Sequence, residues 1–204
     1  MESGIYLIID PSMNEEVLFS KLNLIVKEKI AAIQIWDNFK DNQNIEELLL
    51  KIYKKTSSYN IPLIINNRWE YLKQIPLDGI HFDEIPENLI EIKNKISRDF
   101  IIGVTCNNEF STIAYAEKNQ LDYISFCSMF PSKTASSCEL VNFETVKKAK
   151  SVFTGKLFLA GGIDLNNIKN LEELNYDGIA VVSGIMSAEN PSETIKNYHQ
   201  KIKK

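Results

Sequence analysis

The sequence predicts a closed barrel of eight parallel β-strands in which a helix follows each strand. Short apolar segments alternate with amphipathic segments eight times along the chain, as βαβ units do. The apolar segments show no polar alternation, which is typical of strands that are covered on both faces. A chain of 204 residues suits a small barrel of this kind. An open, doubly wound parallel sheet is the alternative that the same alternation allows.

Each predicted strand is a short apolar run bounded by polar residues or glycine. The eight runs are residues 5–9, 31–36, 61–65, 78–82, 100–104, 122–126, 156–160 and 177–182. Between them, apolar residues recur three and four positions apart, as in amphipathic helices. The helical segments are 17–25, 44–58, a short one at 68–73, 87–96, 110–120, 142–153, 166–174 and 192–204. No linker or change in composition divides the chain, so residues 1–204 are expected to form one domain.

Composition and charge restrict the class of protein. Hydrophobic residues make up 44% of the chain and charged residues 25%, as in ordinary globular proteins, and no apolar stretch is long enough to span a membrane. The N-terminus is acidic and lacks the basic segment of a secretory signal. A net charge of −4 argues against nucleic acid as a partner. An odd number of cysteines in a chain without a secretory signal indicates reduced thiols, so we expect a cytoplasmic protein. The sequence is also compatible with a homo-oligomer.

The chemistry of such a barrel is located at the C-terminal ends of its strands, where most residues of this sequence are polar and several are small. A polar residue is also the ordinary end of a strand, so the ring of residues is stronger evidence than any one member. The ring consists of Asp10, Gln34, Trp36, Asp37, Asn66, Asn67, His81, Asp83, Thr105, Cys106, Cys127, Ser128, Gly161, Gly162, Val182 and Ser183.

The segment LFLAGGIDLNNIKNL, residues 157–171, places two glycines between a strand and a helix predicted at 165–174, with Asp164 as its cap. Such a pair indicates either a tight turn or a backbone that lies against an anion. Barrels of this class often bind phosphate with the loops after strands 7 and 8. We therefore favour a phosphate site that uses Gly162, Ser183 and Gly184 over a plain turn.

Two further features concern the mouth of the predicted barrel. Trp36 offers a large ring that can stack on a planar heterocycle. Cys106, Cys127 and Cys138 lie at the ends of strands 5 and 6 or in the next loop, where they suggest a set of nucleophiles or a soft-metal site. The alternative is that these cysteines are ordinary small residues near strand ends, since no Cys-x-x-Cys spacing is present.

An ordered set of motifs resembles the family of thiamine phosphate synthases and their thiazole tautomerase relatives. The resemblance covers nearly the whole chain, and the set is more specific than any single motif. The motifs are YLIIDPS, IAAIQIWDN, IPLIINNRWE, DGIHF, DYISFCSMFPSKT, FLAGGI and DGIAVVSGIM. The resemblance implies a barrel that joins a thiazole phosphate to an aminopyrimidine pyrophosphate, with Mg²⁺ on the pyrophosphate.

The resemblance also implies roles for individual residues. Gly162, Val182 and Ser183 match the thiazole-phosphate positions, with Gly161 beside them, and Gln34 and Asn66 match the pyrimidine side. Ser132 and Thr134 match the hydroxyls of the phosphate loop and, with Thr105, are the expected catalytic groups. The other expected substrate-binding residues are Trp36, Asn67, His81 and Cys127, although His81 is expected to be mostly structural.

The charged positions of the family are replaced in this chain. The arginine and lysine after strand 2 fall on Trp36 and Asn38, and the loop lysine falls on Ala135. The two magnesium aspartates fall on Asn67 and Pro86, with Asp83 and Glu84 nearby as substitutes. The sequence therefore leaves three functions open. They are a transferase with a remodelled pyrophosphate site, a non-catalytic or regulatory binder of a thiamine-precursor phosphate, and an isomerase of the tautomerase type that uses His81 or a cysteine as its base.

Overall fold

Eight parallel strands close on themselves in the structure, a computed structural model that describes residues 1–131 and 139–202. The strands are β1 Gly4–Ile9, β2 Ala32–Ile35, β3 Leu63–Asn66, β4 Gly79–Phe82, β5 Ile101–Cys106, β6 Tyr123–Phe126, β7 Lys156–Ala160 and β8 Gly178–Val181. Each strand pairs with its neighbour in the chain, and β8 pairs with β1 in the register Leu7 to Val181. The predicted closed barrel is confirmed, and the open sheet is wrong.

Helices follow the strands and cover the outside of the barrel. They are α1 Glu15–Ile25, α2 Ile45–Ser57, α3 Leu89–Ile96, α4 Phe110–Lys118, α5 Phe143–Val152, α6 Ser183–Met186 and α7 Pro191–Lys201, with 3₁₀ helices at Trp69–Lys73 and Ile168–Leu171. Asparagine side chains cap four of them by accepting a hydrogen bond from a backbone N–H of the first turn. The caps are Asn14, Asn44, Asn142 and Asn190. No helix in the described ranges has the length and apolar character needed to cross a membrane.

The helix predicted at 165–174 is only a 3₁₀ turn at Ile168–Leu171. The Asp164 carboxylate accepts from the backbone N–H groups of Asn166 and Asn167 at 2.7 and 2.9 Å. The Asn167 amide in turn donates to the Gly162 carbonyl at 2.7 Å. Hydrogen bonds from side chain to backbone compete with a regular helix, so this segment stays irregular.

Alternation along the strands divides the core into two layers. One set of side chains, such as Leu7, Ile33 and Val104, packs between the barrel and its helices. The other set fills the lumen, where Tyr6, Tyr123 and Phe158 form the aromatic part. The residues that follow the lumen set at the carboxyl ends of the strands form the mouth of the barrel.

Aspartates close the opposite end of the barrel. Asp78, Asp122 and Asp177 stand just before even-numbered strands and accept from backbone N–H groups of the first or second residue of β3, β5 and β7 at 2.7–2.9 Å. Asp177 also accepts from Lys150 at 2.7 Å and from Lys156 at 3.0 Å. Burial raises the pKa of the Asp177 carboxyl, but the hydrogen bonds outweigh burial and hold that pKa below its ordinary value.

We predict that Asp177→Asn lowers the free energy of unfolding by about 1.5–3 kcal/mol near neutral pH, the range for hydrogen bonds to a charged group. A depressed folded-state pKa stabilises the protein above the unfolded-state pKa, and this contribution is lost as the pH falls through the folded-state value. Urea unfolding at neutral and acid pH measures the difference. Asp41→Asn, at an exposed loop position, is the control. A difference between Asp177→Asn and the parent that does not shrink in acid would contradict this account.

Candidate functional site

A chain of hydrogen bonds crosses the lumen just below the mouth. Tyr6 donates to Gln34 Oε1 at 2.8 Å, and the hydroxyls of Tyr6 and Tyr123 are 2.7 Å apart. The Tyr123 hydroxyl lies 3.0 Å from Nδ1 of His81, whose Nε2 lies 2.8 Å from the Thr105 hydroxyl. The chain joins three predicted site residues, Gln34, His81 and Thr105. Thr105 is only partly buried and reaches the mouth.

Sequence reasoning missed the two tyrosines of this chain. Tyr6 and Tyr123 belong to largely apolar strands, so hydrophobicity does not mark them as site residues. The available signal is the two-residue alternation of a strand, because Tyr6 is four positions before Asp10 and Tyr123 is four before Cys127. Both tyrosines therefore share a face with a residue of the predicted ring.

Burial makes the titratable groups of the chain neutral. It lowers the pKa of His81 to about 4, against an opposing effect of the Asp83 charge. Burial also raises the pKa of Tyr6 and of Tyr123. At neutral pH the chain therefore consists of two phenols, a neutral imidazole, an amide and an alcohol.

At the ends of β3 and β4, two amides hold one carboxylate. Asp83 accepts from the side-chain amides of Asn66 at 3.0 Å and Asn67 at 2.8 Å. The Asn67 side-chain oxygen accepts from the Asp83 backbone N–H at 3.0 Å, which makes the contact reciprocal. Asn67 has φ 58°, a left-handed conformation that asparagine tolerates better than most residues. We call this group the Asn67–Asp83 clamp.

The clamp decides whether the described residues fit Mg²⁺. The ion prefers several oxygen ligands in a near-octahedral arrangement. The Asp83 oxygens are engaged by amide donors, Asn67 brings no charge, and Pro86 brings no ligand atom. Among residues 1–131 and 139–202, no three His, Cys, Asp or Glu side chains are grouped to hold a metal ion. The described residues therefore do not fit the two-carboxylate magnesium site that the resemblance implies.

The substituted positions after β2 are engaged elsewhere. Asn38 donates to both carboxylate oxygens of Asp10 at 3.1 Å. The Arg68 guanidinium pairs with Asp37 and lies 5.1 Å from the centre of the Phe39 ring. The strand ends on this side thus carry the carboxylates Asp10, Asp37 and Asp83.

Trp36 is partly exposed at the mouth, and it is not among the described side chains that pack against either core layer. A cavity of about 700 Å³ lies between the ends of β3 and β4 and α3. Its lining includes both family magnesium positions, Asn67 and Pro86, the three glutamates Glu84, Glu87 and Glu91, and one lysine, Lys95, which pairs with Glu91. The side of the mouth from β1 to β4 is therefore aromatic and acidic.

The predicted thiol site is wrong for Cys106. Its side chain lies in the layer between barrel and helices, fully buried, and burial raises its pKa to about 12. A buried protonated thiol is neither a nucleophile nor a base at neutral pH. Cys127 is partly buried at the end of β6, and Cys138 lies outside the described residues. The isomerase interpretation thereby loses Cys106 as its base.

The glycine pair lies where a neighbouring loop touches the strand end. Gly161 has φ 88° and Gly162 has φ 65°, which side-chain-bearing residues rarely adopt. A Cβ on Gly161 would lie 2.4 Å from the Ser128 Cα, and one on Gly162 would lie 2.5 Å from the Phe130 carbonyl oxygen. The close approach of the loop after β6 therefore requires glycine at both positions, whether or not a ligand binds there. The sequence pattern gives no sign of this contact.

The remaining predicted phosphate residues lie at the start of α6. Val182 precedes this helix, and Ser183 and Gly184 form its exposed first turn, whose N–H groups have no carbonyl partner within the helix. Beside Gly161, Ser128 Oγ is the sole buried side-chain polar atom without a partner in the described part of the chain. The phosphate role of Gly162, Val182 and Ser183 stays a prediction. Ser132 and Thr134 lie outside the described residues.

Comparison with known proteins gives the chain a family. The model of the family described as thiamine monophosphate synthase matches residues 5–185. The thiamine-phosphate synthase of Clostridium acetobutylicum is 28% identical over 201 residues, which cover 98% of this chain and 95% of that protein. That of Clostridium tetani is 31% identical over 159 residues, which cover 77% of this chain and 75% of that protein.

Solved structures agree in fold. The thiamine phosphate pyrophosphorylase of Pyrococcus furiosus has a TM-score of 0.82 at 21% identity and covers 97% of this chain and 94% of its own. A mutant tryptophan synthase α-subunit from the same organism has a TM-score of 0.75 at 12% identity, covering 98% of this chain and 96% of its own. These likenesses show the barrel alone. Since the family model matches nearly the whole chain, this chain belongs to the thiamine monophosphate synthase family.

Proposed function

We propose that this chain joins a thiazole phosphate to an aminopyrimidine pyrophosphate, giving thiamine phosphate and pyrophosphate, with a pyrophosphate site unlike that of the family. The observation that carries the proposal is the joining of Gln34, His81 and Thr105 into one hydrogen-bonded group at the mouth of a family barrel. Asn66 adds an amide at the end of β3. In this site Trp36 would stack on the planar ring, and the polar group would orient it.

The thiazole phosphate would bind on the side of the mouth from β6 to β8. The first turn of α6 offers the N–H groups of Ser183 and Gly184 and the Ser183 hydroxyl, which suit an anion. The Ser128 hydroxyl beside Gly161, unpartnered among the described residues, supports a ligand oxygen on this side of the mouth, because a buried hydroxyl left unpaired costs about 1–3 kcal/mol.

A second candidate is a binder that does not catalyse the reaction. Departure of pyrophosphate needs positive charge where negative charge develops. On the β1 to β4 side, Arg68 is paired with Asp37, and the amides of the clamp occupy both carboxylate oxygens of Asp83. This observation favours binding of one phosphorylated heterocycle with little or no transfer.

The other expectations stay predictions. They are a magnesium requirement, one domain over residues 1–204, a cytoplasmic location and a homo-oligomer. Because the described donor set does not fit Mg²⁺, no step of the proposed reaction is assigned to that ion.

We predict that the purified protein forms thiamine phosphate above a no-enzyme control, and that Asn38→Lys raises the rate roughly tenfold or more. One restored cation gives about 1.5–3 kcal/mol through a charged hydrogen bond, and about 1.4 kcal/mol is tenfold. Product is measured by chromatography. Asn38→Ala is the control, since it removes the same side chain without adding charge. If no product forms but calorimetry shows binding of the thiazole phosphate, the second candidate is supported. If there is no product and no binding, both candidates are rejected.

We predict that Mg²⁺ raises the melting temperature of Asn67→Asp more than that of the parent, in the absence of substrate. The change removes the Asn67 amide that occupies one Asp83 oxygen, and it gives the clamp a second carboxylate as a hard oxygen ligand for Mg²⁺. Thermal unfolding with and without Mg²⁺ measures the shift. Asn170→Asp, which adds the same charge at an exposed site, is the control. An equal Mg²⁺ shift in the parent would show that its own residues already form the site.

We predict that Ser183→Asp weakens binding of the thiazole phosphate at least tenfold, because a carboxylate at the start of α6 repels the phosphate. Ser183→Ala should weaken it by one hydrogen bond, on the order of 1.5–3 kcal/mol. Calorimetry measures affinity, and circular dichroism checks folding. Ser187→Asp, at the other end of α6, is the control. Gly162→Asp is a poorer probe because its Cβ would meet the Phe130 and Pro131 carbonyls. Unchanged affinity in Ser183→Asp would place the phosphate elsewhere.

A further inference from the structure

The hydrogen-bonded chain in the lumen has five members on five different strands. Gln34 stands on β2, Tyr6 on β1, Tyr123 on β6, His81 on β4 and Thr105 on β5. The four links measure 2.7–3.0 Å. Gln34, Tyr6, Tyr123 and His81 are at most 4% exposed, so their protons must be arranged among themselves.

Counting protons gives the tyrosine links one direction. Gln34 Oε1 is an acceptor, so the single hydroxyl proton of Tyr6 points to it. Tyr6 then has only lone pairs for Tyr123, and Tyr123 donates to Tyr6. Tyr123 has no proton left for His81, and it must accept one from His81 Nδ1.

The same count extends through the imidazole to the mouth. His81 is buried and its two ring nitrogens meet neutral hydroxyl groups, an environment that disfavours a charged imidazolium, so it carries one ring proton. With that proton on Nδ1, Nε2 has a lone pair and accepts from the Thr105 hydroxyl. Thr105 therefore has its proton directed inward and only lone pairs left for a ligand.

We propose that Tyr6 and Tyr123 are positioning residues that act through His81, fixing its Nδ1–H tautomer and turning the Thr105 hydroxyl into a hydrogen-bond acceptor toward the ligand. The two ends of the chain then differ in polarity. Thr105 accepts from an N–H of the ligand, while the Gln34 amide, with its oxygen taken by Tyr6, has its N–H₂ group as donor. The tautomer is a property of the ligand-free protein, whereas its consequence for the ligand rests on the proposed function.

The tautomer can be measured directly in the ligand-free protein by two-bond ¹⁵N–¹H correlation NMR of the imidazoles, at a pH where both are neutral. The chain has two histidines, and the second is an internal reference. His199 Nε2 lies 2.7 Å from the Lys29 carbonyl, an acceptor, so His199 is the Nε2–H tautomer. We expect His81 to show the opposite pattern, Nδ1–H. An Nε2–H signal for His81 would overturn the proposal, whether or not any variant folds.

A variant tests the action at a distance. Tyr6→Phe removes the acceptor of Tyr123, so the buried Tyr123 proton turns to His81 Nδ1 and the imidazole changes to Nε2–H. Tyr198→Phe is the matched control, because it deletes the hydroxyl of another buried tyrosine. That hydroxyl donates to the Ile163 carbonyl at 3.3 Å and is not part of the hydrogen-bonded chain in the lumen. An unchanged His81 tautomer in a folded Tyr6→Phe, or a changed one in Tyr198→Phe, would refute the positioning role.

The ligand readout separates this inference from the proposed function. We expect the parent to bind an aminopyrimidine more tightly than its oxo analogue, in which the amino donor is replaced by an acceptor. Tyr6→Phe should lose most of this preference, because Thr105 becomes a donor. Equal preference in the parent and in Tyr6→Phe, when the tautomer has changed, would overturn the step from His81 to Thr105. Binding of neither pyrimidine by a parent with the Nδ1–H tautomer would count against the proposed function and support the positioning role.

Discussion

The site depends on one constraint, which is that polar groups in a packed barrel lumen must bond to one another. A buried hydroxyl or imidazole nitrogen left without a partner costs about 1–3 kcal/mol. Phe158, Ile64 and the alanines of the lumen pack together around these groups, so the partners come from neighbouring strands. Five strands therefore have to hold a common register for Gln34 and Thr105 to stand where they do. Closure of the barrel and organisation of the mouth are two aspects of the same packing.

The sequence predicted what depends on local pattern. Eight apolar runs and their helices predicted the barrel, and polar residues at the C-terminal ends of the runs predicted Gln34, Asn66, His81 and Thr105 at the mouth. The chain that links three of them was not predictable in this way. Strands covered on both faces show no period of two, so the inward direction of Tyr6 and Tyr123 is hidden. The shortened helix at Ile168–Leu171 was missed because side-chain hydrogen bonds from Asp164 and Asn167 overrode helical spacing.

The glycine pair shows how a correct position can have a second cause. The sequence placed Gly161 and Gly162 at the turn after β7, where the structure also has them. Their need for glycine arises from Ser128 and Phe130, which precede them by about thirty residues in the chain and approach only after the barrel closes. A contact between two loops leaves no periodic signal in either. The presence of glycine there is consequently weaker support for a phosphate than the sequence alone suggested, and the start of α6 now carries that argument.

Several charged and polar groups on the acidic side of the mouth bond to one another. Asp83 has its amide donors, Arg68 has Asp37, and Asn38 bonds to Asp10, so these groups have partners before any ligand arrives. To bind Arg68, a pyrophosphate would have to break the ion pair between Arg68 and Asp37. The unpaired Asp37 carboxylate would then repel the negatively charged pyrophosphate. A neutral or singly charged heterocycle stacked on Trp36 asks for no such exchange. Binding a pyrophosphate therefore costs more free energy than binding a heterocycle, because an ion pair within the protein must first be broken. This difference in binding free energy favours a site that binds a heterocycle over one that also releases pyrophosphate.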